Sequence, residues 1–429
     1  MYIDEIIDII KECGADAWIV EEKAEKNSEF YFIRHRLDQD RLTDVVSYRV
    51  TVFKNSPDKI TTGKAEAVIN PGENKEYLKK IISELMDRAL DVKDKYYSLK
   101  PAAKDYDIDN GSVALDAGDI SAAFVRTMES VNESPTADIN SYEVFGGTRK
   151  TRIVTSSGVD LTYEYPSSMM EAVINARNEE HEIELYRSYY LGSCASSDIK
   201  ASIEEALSCA ADRLIAEPTP DMHKIDCVFS TKDACEIYRY FLDNLNAANI
   251  YMKLCRWKKD AYICEGITGD KLNITARRFL ENSSTNWPCD CEGSLIKDTD
   301  LMKDMKPVAF WGGTKYSSYL GEKDAFMVTN SEFTGGSCSE EEIRRDNYLE
   351  VMEFSDFQVD SMTGDIFGEI RLAYLYENGK RRILTGGSVS GSMLSFMKTM
   401  KMSKDSMQYN NMLIPKLTRL KDVTINGAG

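Results

Sequence analysis

Histidine is nearly absent from this chain: 429 residues hold three, His35, His181 and His223. A metal centre built on two imidazoles would need distant residues to converge. Basic blocks are also missing, so nothing offsets the net charge of −18. That field repels phosphate, which argues against nucleic acid and anionic lipid as direct partners. No apolar run reaches the length of a membrane span. Asp4, Glu5 and Asp8 stand where a secretory signal carries positive charge. No G-x-x-x-x-G-K-S/T loop occurs, and no G-x-G-x-x-G opens a helix after a strand. "GGSVSGS" (386–392) places Val389 where a nucleophile elbow needs serine, and reads as a flexible loop leading into the "SMLSFM" helix. The ten cysteines are scattered, as suits reduced thiols and a cytoplasmic address.

The few chemistry-bearing groups resolve blandly. His181-Glu182 is the one His-Glu dipeptide, but neither Leu185 nor Tyr186 supplies a second histidine. Ile183 and Leu185 alternate with polar neighbours, so the pair belongs to a strand and its side chains point to opposite faces. Cys289-Asp290-Cys291 has no second pair or histidine at zinc spacing. His35 has no obvious partner. Met393, Met397, Met400 and Met402 read as core or interface filler, and "SEEEIRRD" (339–346) as a solvated face.

What is present is a large α+β scaffold. Ile3, Ile6, Ile7 and Ile10 predict a helix ended by Gly14. Four strand-like segments follow, "AWIVEEKA", "SEFYFIRHRL", "VVSYRVTVFK" and "KITTGKAEAVI". "NPGEN" then precedes a helix striped by Leu78, Ile82 and Leu85. A helix around 119–131 leads to an antiparallel meander over 138–190 with turns at "FGGTRK" and "TSSGVD". A helix over 197–216 stops at "AEPTPDM". A strand, "KIDCVFS", and a helix at 231–249 open the second half. There Ile370, Leu372, Tyr374 and Tyr376 share a face and Asn378-Gly379 forms a type I′ turn. The expected architecture is two domains. Residues 1–220 form an antiparallel sheet flanked by helices, and 221–429 a strand-rich, barrel-like antiparallel domain with a few helices.

Several motifs in this order resemble the TldD/PmbA family, also known through modulators of DNA gyrase. They are "IIDIIKECGADAWIVEEK", "TSSGVDLTYEYPSSMMEAVINA" and "SMTGDIFGEIRLAYLYENGKRRILTGGSVSGSMLSFMKTM", closing on "LKDVTINGAG". The resemblance implies a metallopeptidase relative. TldD-type members carry H-E-x-x-x-H on the helix opening the second half and a cysteine near the C-terminus, whereas PmbA/TldE-type members lack both. Here the station falls near Arg239, Tyr240 and Asn244, with no histidine beyond 224 and Cys338 as the last cysteine. An Arg–Tyr pair cannot generate a metal hydroxide.

The resemblance therefore implies a non-catalytic PmbA/TldE-like subunit, inactive alone and without a cofactor. Its TldD-type partner would hold zinc, the substrate would be unfolded peptide, and a homodimer is the other assembly open to it. Thr363, Gly364 and Asp365 are the expected peptide-side residues, although Asp365 reads first as a plain turn-capping aspartate. Two other classes stand beside it: a stand-alone peptide-binding or regulatory protein, and an independent hydrolase. No nucleophile–base pair favours the hydrolase.

Overall fold

The computed structural model describes residues 2–108 and 116–428. The fold is α+β, and its first sheet is antiparallel throughout. Its path runs Asp94–Lys95, Thr61–Ile69, Arg36–Asn55, Ala17–Ile33, Ala137–Thr155, Ser168–Arg177, Glu182–Leu191, with Asp160–Pro166 also paired to Ala137–Thr155. Two helices, α1 (Tyr2–Glu12) and α2 (Lys75–Asp91), cover Trp18, Val20, Tyr48, Val50 and Val52. Two more, α3 (Ala117–Glu129) and α4 (Ser196–Arg213), cover Tyr142, Val144, Met170 and Ile174. Gly14 ends α1 at φ +77°, and Asn74 caps α2 by accepting from the Tyr77 N–H at 2.9 Å.

The sequence splits the first strand in two, but "AWIVEEKA" and "SEFYFI" form the single strand Ala17–Ile33. Its hairpin corner is Arg34-His35, both at positive φ. The turn expected at "FGGTRK" is absent, because Gly146 and Gly147 lie inside Ala137–Thr155. The glycine is needed for proximity. A Cβ on Gly146 would stand 2.3 Å from Ser121 Oγ and 2.6 Å from the Ser121 nitrogen on α3. Ser121 Oγ accepts the Gly146 N–H and donates to the Ser28 carbonyl, stitching helix to sheet. Gly146→Ala is therefore expected to lower stability by about 1–3 kcal/mol by forcing α3 outward. Unfolding in urea at unchanged m-value would show it, and an unaltered midpoint would refute it.

The second half closes a five-stranded barrel. Met222–Ser230, Leu417–Asn426, Ser388–Ser392, Asp365–Glu377 and Tyr348–Val359 pair in that order, and Tyr348–Val359 returns to pair in parallel with Met222–Ser230. "GGSVSGS" is thus mostly a barrel strand and not a loop. The helix after it is only Met393–Phe396. A six-stranded sheet lies beside the barrel, in the order Lys306–Pro307, Thr299–Lys303, Asn273–Arg277, Asn330–Thr334, Met412–Pro415, Ser406–Tyr409.

Helix α5 (Thr231–Asn244) joins these two layers. The Tyr238 ring meets Phe333 of the six-stranded sheet at 5.1 Å, and its hydroxyl hydrogen-bonds Thr418 of the barrel. The helix expected over 231–249 breaks after Asn244. Asn246 then accepts from the Ala248 N–H and caps a separate helix, Ala247–Tyr251.

The shared face of Ile370, Leu372, Tyr374 and Tyr376 is also divided. Register with Tyr348–Val359 slips between Ile370 and Leu372, leaving Arg371 as an extra residue. Ile370, Ala373 and Leu375 then point into the C-terminal core, while Leu372 and Tyr374 join the N-terminal core under α4. Among the described residues no helix is long and apolar enough to cross a membrane.

Candidate functional site

Helix α5 buries Ala234, Ile237, Tyr238 and Phe241 on one face, and that periodicity fixes where its other residues point. Arg239 is exposed and pairs with Glu236 at 2.8 Å. Tyr240 is buried, its ring edge-on to Trp257 at 6.2 Å. Asn244 is buried as well, and its Nδ2 donates at 2.9 Å to both the Tyr240 and Ser361 carbonyls.

Residues 360–365 form the opposing surface. Asp360 accepts from the Met362 and Thr363 N–H groups at 2.9 and 2.6 Å, and its carbonyl accepts the Gly364 N–H at 2.8 Å. These backbone bonds hold its carboxyl below the usual carboxylate range. Gly364 has φ +76°, and a Cβ there would stand 3.4 Å from Tyr240 Oη. The structure thus brings Tyr240 against Gly364 and Asn244 against Ser361 of the same turn, and leaves Arg239 on another face. Asp365 is not the cap: its N–H donates to Thr363 Oγ1 at 3.2 Å while its side chain and Thr363 are exposed. The capping role belongs to Asp360. Its signal was legible in "DSMTG", an aspartate placed to bond the backbone two and three residues on. Trp257 carried no comparable signal.

This constellation does not fit a metal. Arginine presents donors only, Asn244 adds a single neutral amide oxygen, and burial pushes the Tyr240 phenol up to about 12. Burial also raises the thiols of Cys255 and Cys264 beside it. Among the described residues no group of three or more His, Cys, Asp or Glu is placed to hold a metal ion. The arrangement can fix a turn, present backbone groups and offer one neutral phenol.

The remaining candidates are structural. His35, expected to lack a partner, lies 2.9 Å from Glu133 through Nε2. His181 is exposed in a hairpin turn, its carbonyl accepting the Asn178 N–H. Asp290, between Cys289 and Cys291, accepts the N–H groups of Glu292, Ser294 and Met327. The four methionines are buried in the C-terminal core. "SEEEIRRD" is less solvated than its composition suggests. Ser339 and Glu342 form a capping box, and Arg344 pairs with buried Glu350 at 2.7 Å.

A charged group with no local sequence signal lies at the start of α5. Arg187, from the first sheet, holds Glu353 of the barrel through both guanidinium arms, and Lys232 approaches the same carboxylate at 3.2 Å. Asp233 sits among them, and burial pushes its carboxyl up to about 7, with Glu353 and Glu236 raising it further and Lys232 and Arg187 opposing. Below its usual value of 3.8 this group is protonated in both folded and unfolded chains. As pH rises from there to about 7 the unfolded chain ionises first, so the group withdraws stability across that window and no more above it. Asp233→Asn should flatten that slope, as measured by denaturant midpoints at pH 4 to 8. An identical pH profile in the variant would refute the assignment.

Residues 222–427 match the PmbA/TldA metallopeptidase C-terminal domain. No curated protein sequence matches the chain. Among solved structures, TldE from Thermococcus kodakarensis superposes with a TM-score of 0.78 at 14% identity, covering 100% of both chains. A candidate modulator of a DNA gyrase from Thermotoga maritima gives 0.76 at 15% identity, covering 98% of each chain. A candidate modulator of DNA gyrase from Bacteroides thetaiotaomicron gives 0.76 at 17% identity, covering 99% of this chain and 98% of that one. At such identities the structural likeness is one of fold. Residues 222–427 therefore belong to the PmbA/TldA metallopeptidase C-terminal domain family, and the whole chain shares the fold of TldE.

Proposed function

We propose that this chain is a non-catalytic, PmbA/TldE-like subunit of a TldD-type metallopeptidase complex acting on unfolded peptides in the cytoplasm. The observation that carries the reading is the metal station of α5. Arg239 faces away, Tyr240 and Asn244 face a capped turn, and no histidine follows residue 224. Zinc and the base that activates water belong to the partner. This chain closes the shared cavity and steadies extended peptide, with Thr363, Gly364 and Asp365 beside its path at the mouth of the barrel.

The test is to purify the chain alone, measure bound zinc and cleavage of an unfolded peptide, and repeat both with a TldD-type partner. The expected result is neither metal nor cleavage alone, and chelator-sensitive cleavage in the mixture. Stoichiometric zinc or chelator-insensitive cleavage by the isolated chain would favour an independent hydrolase. Failure to associate with any chain bearing H-E-x-x-x-H would favour a stand-alone peptide binder.

A further inference from the structure

The strand Arg36–Asn55 is 20 residues long, but its outer neighbour Thr61–Ile69 has only 9. That neighbour pairs with Tyr48–Asn55 alone. Asn70-Pro71-Gly72 then turns the chain away, with Gly72 at φ +86° and a proline that cannot donate to a ladder. Among the described residues no strand pairs with the outer side of 36–47. A row of backbone donors and acceptors is left facing solvent, which is the template for strand addition. Side chains along it are exposed too: Leu42 at 81%, Val45 at 56% and Leu37 at 47%.

The charges along this edge say what fits it. Beyond the irregularity opposite Tyr31 and Phe32, residues 39–47 alternate regularly. Asp40, Leu42 and Asp44 share the face that continues through Val46 to Tyr48 and Val50 under α1 and α2. Asp40 makes no ion pair among the described residues, and Asp44 has only an exposed contact at 3.7 Å with Lys26. On the other face Arg41 is already engaged, its Nε donating to buried Glu29 at 2.6 Å.

A second copy of the chain is a poor occupant. In a two-fold antiparallel pair, opposed residues either both point their backbone groups at the partner or both point them away. Even positions on this stretch can therefore face only even positions. Asp40 and Asp44 would meet aspartate, leucine or valine, never arginine, and every aspartate of both copies would crowd one face.

We propose that residues 39–47 bind an extended peptide segment of the pattern basic–x–apolar–x–basic, added as a strand, with its cations opposite Asp40 and Asp44 and its apolar residue opposite Leu42. This deepens the function proposed above and rests on it for the idea that unfolded peptide is the ligand. It is tested on this chain alone, so it can fail while the partner-subunit reading stands.

The probes are fluorescein-labelled TKTVTKT and TETVTET, titrated by anisotropy into the full chain and into a D40K/D44K double variant. Wild type should bind the lysine peptide at least tenfold more tightly than the glutamate peptide, with affinity falling as salt rises, and the variant should reverse the order. Amide hydrogen exchange within 39–47 should slow on binding. Equal binding of both peptides, no binding at all, an unreversed preference in the folded variant, or protection appearing only elsewhere would each overturn the proposal.

Discussion

Glu353→Ala is expected to cost about 3–5 kcal/mol of stability, because it strands two cations at a junction with little water. Glu353 is 2% exposed and Arg187 9%, and the carboxylate satisfies both guanidinium arms while also meeting Lys232. Lys232 is the more exposed cation and can turn toward water or toward Asp233. Arg187 has no such exit, so most of the loss is its desolvation without compensation. The pair itself is a different quantity from the cost of breaking it. An R187M/E353L double variant, which replaces both charges by apolar groups of similar bulk, should recover most of the loss. Guanidinium denaturation of the three proteins checks this. A single variant no less stable than the double would mean that the ion pair is not what holds the junction.

Phe241→Ala should cost a similar amount, about 3–5 kcal/mol, by a different route. Its ring is fully buried on α5, 5.4 Å from Tyr240 and 6.2 Å from Trp257. Removing it opens a cavity under the indole, beside the helical turn that carries the station. Phe241→Leu refills much of the space and should cost far less. Tryptophan fluorescence gives an independent readout, since Trp257 is only partly buried and should become wetter in the alanine variant. A loss below about 1 kcal/mol, with unchanged emission, would show that the neighbouring rings close over the gap.

The helices and the main hairpins were legible because their signals are local. The Leu78, Ile82, Leu85 stripe lies within one helix, and Asn378-Gly379 adopts the two positive φ values that its turn requires. What escaped depends on distant chain. Gly146 reads as a turn until α3 is laid across it. The slip at Arg371 exists because the strand must serve two cores, which no alternation of its own residues announces. At the site, the sequence located Tyr240, Asn244 and Gly364 without showing that the helix residues meet the 360–365 turn, and it assigned the capping role to Asp365 instead of Asp360. Arg187 and Glu353 are separated by 166 positions, so neither could be recognised as half of a pair.

The strand Asp365–Glu377 is a wall shared by two rooms. Leu372 and Tyr374 complete the N-terminal core, the Tyr374 hydroxyl donates to Asp212 of α4 at 2.7 Å, and Ala373 and Leu375 line the other side. A chimaera that exchanges the second half for a relative's must therefore carry a strand matched to the host's α4. A chain stopped at residue 220 would leave Leu207 and Ala210 without their cover. The halves are joined less like beads on a string than like two arches leaning on one pier, and substitutions on either face of that pier are inherited by both.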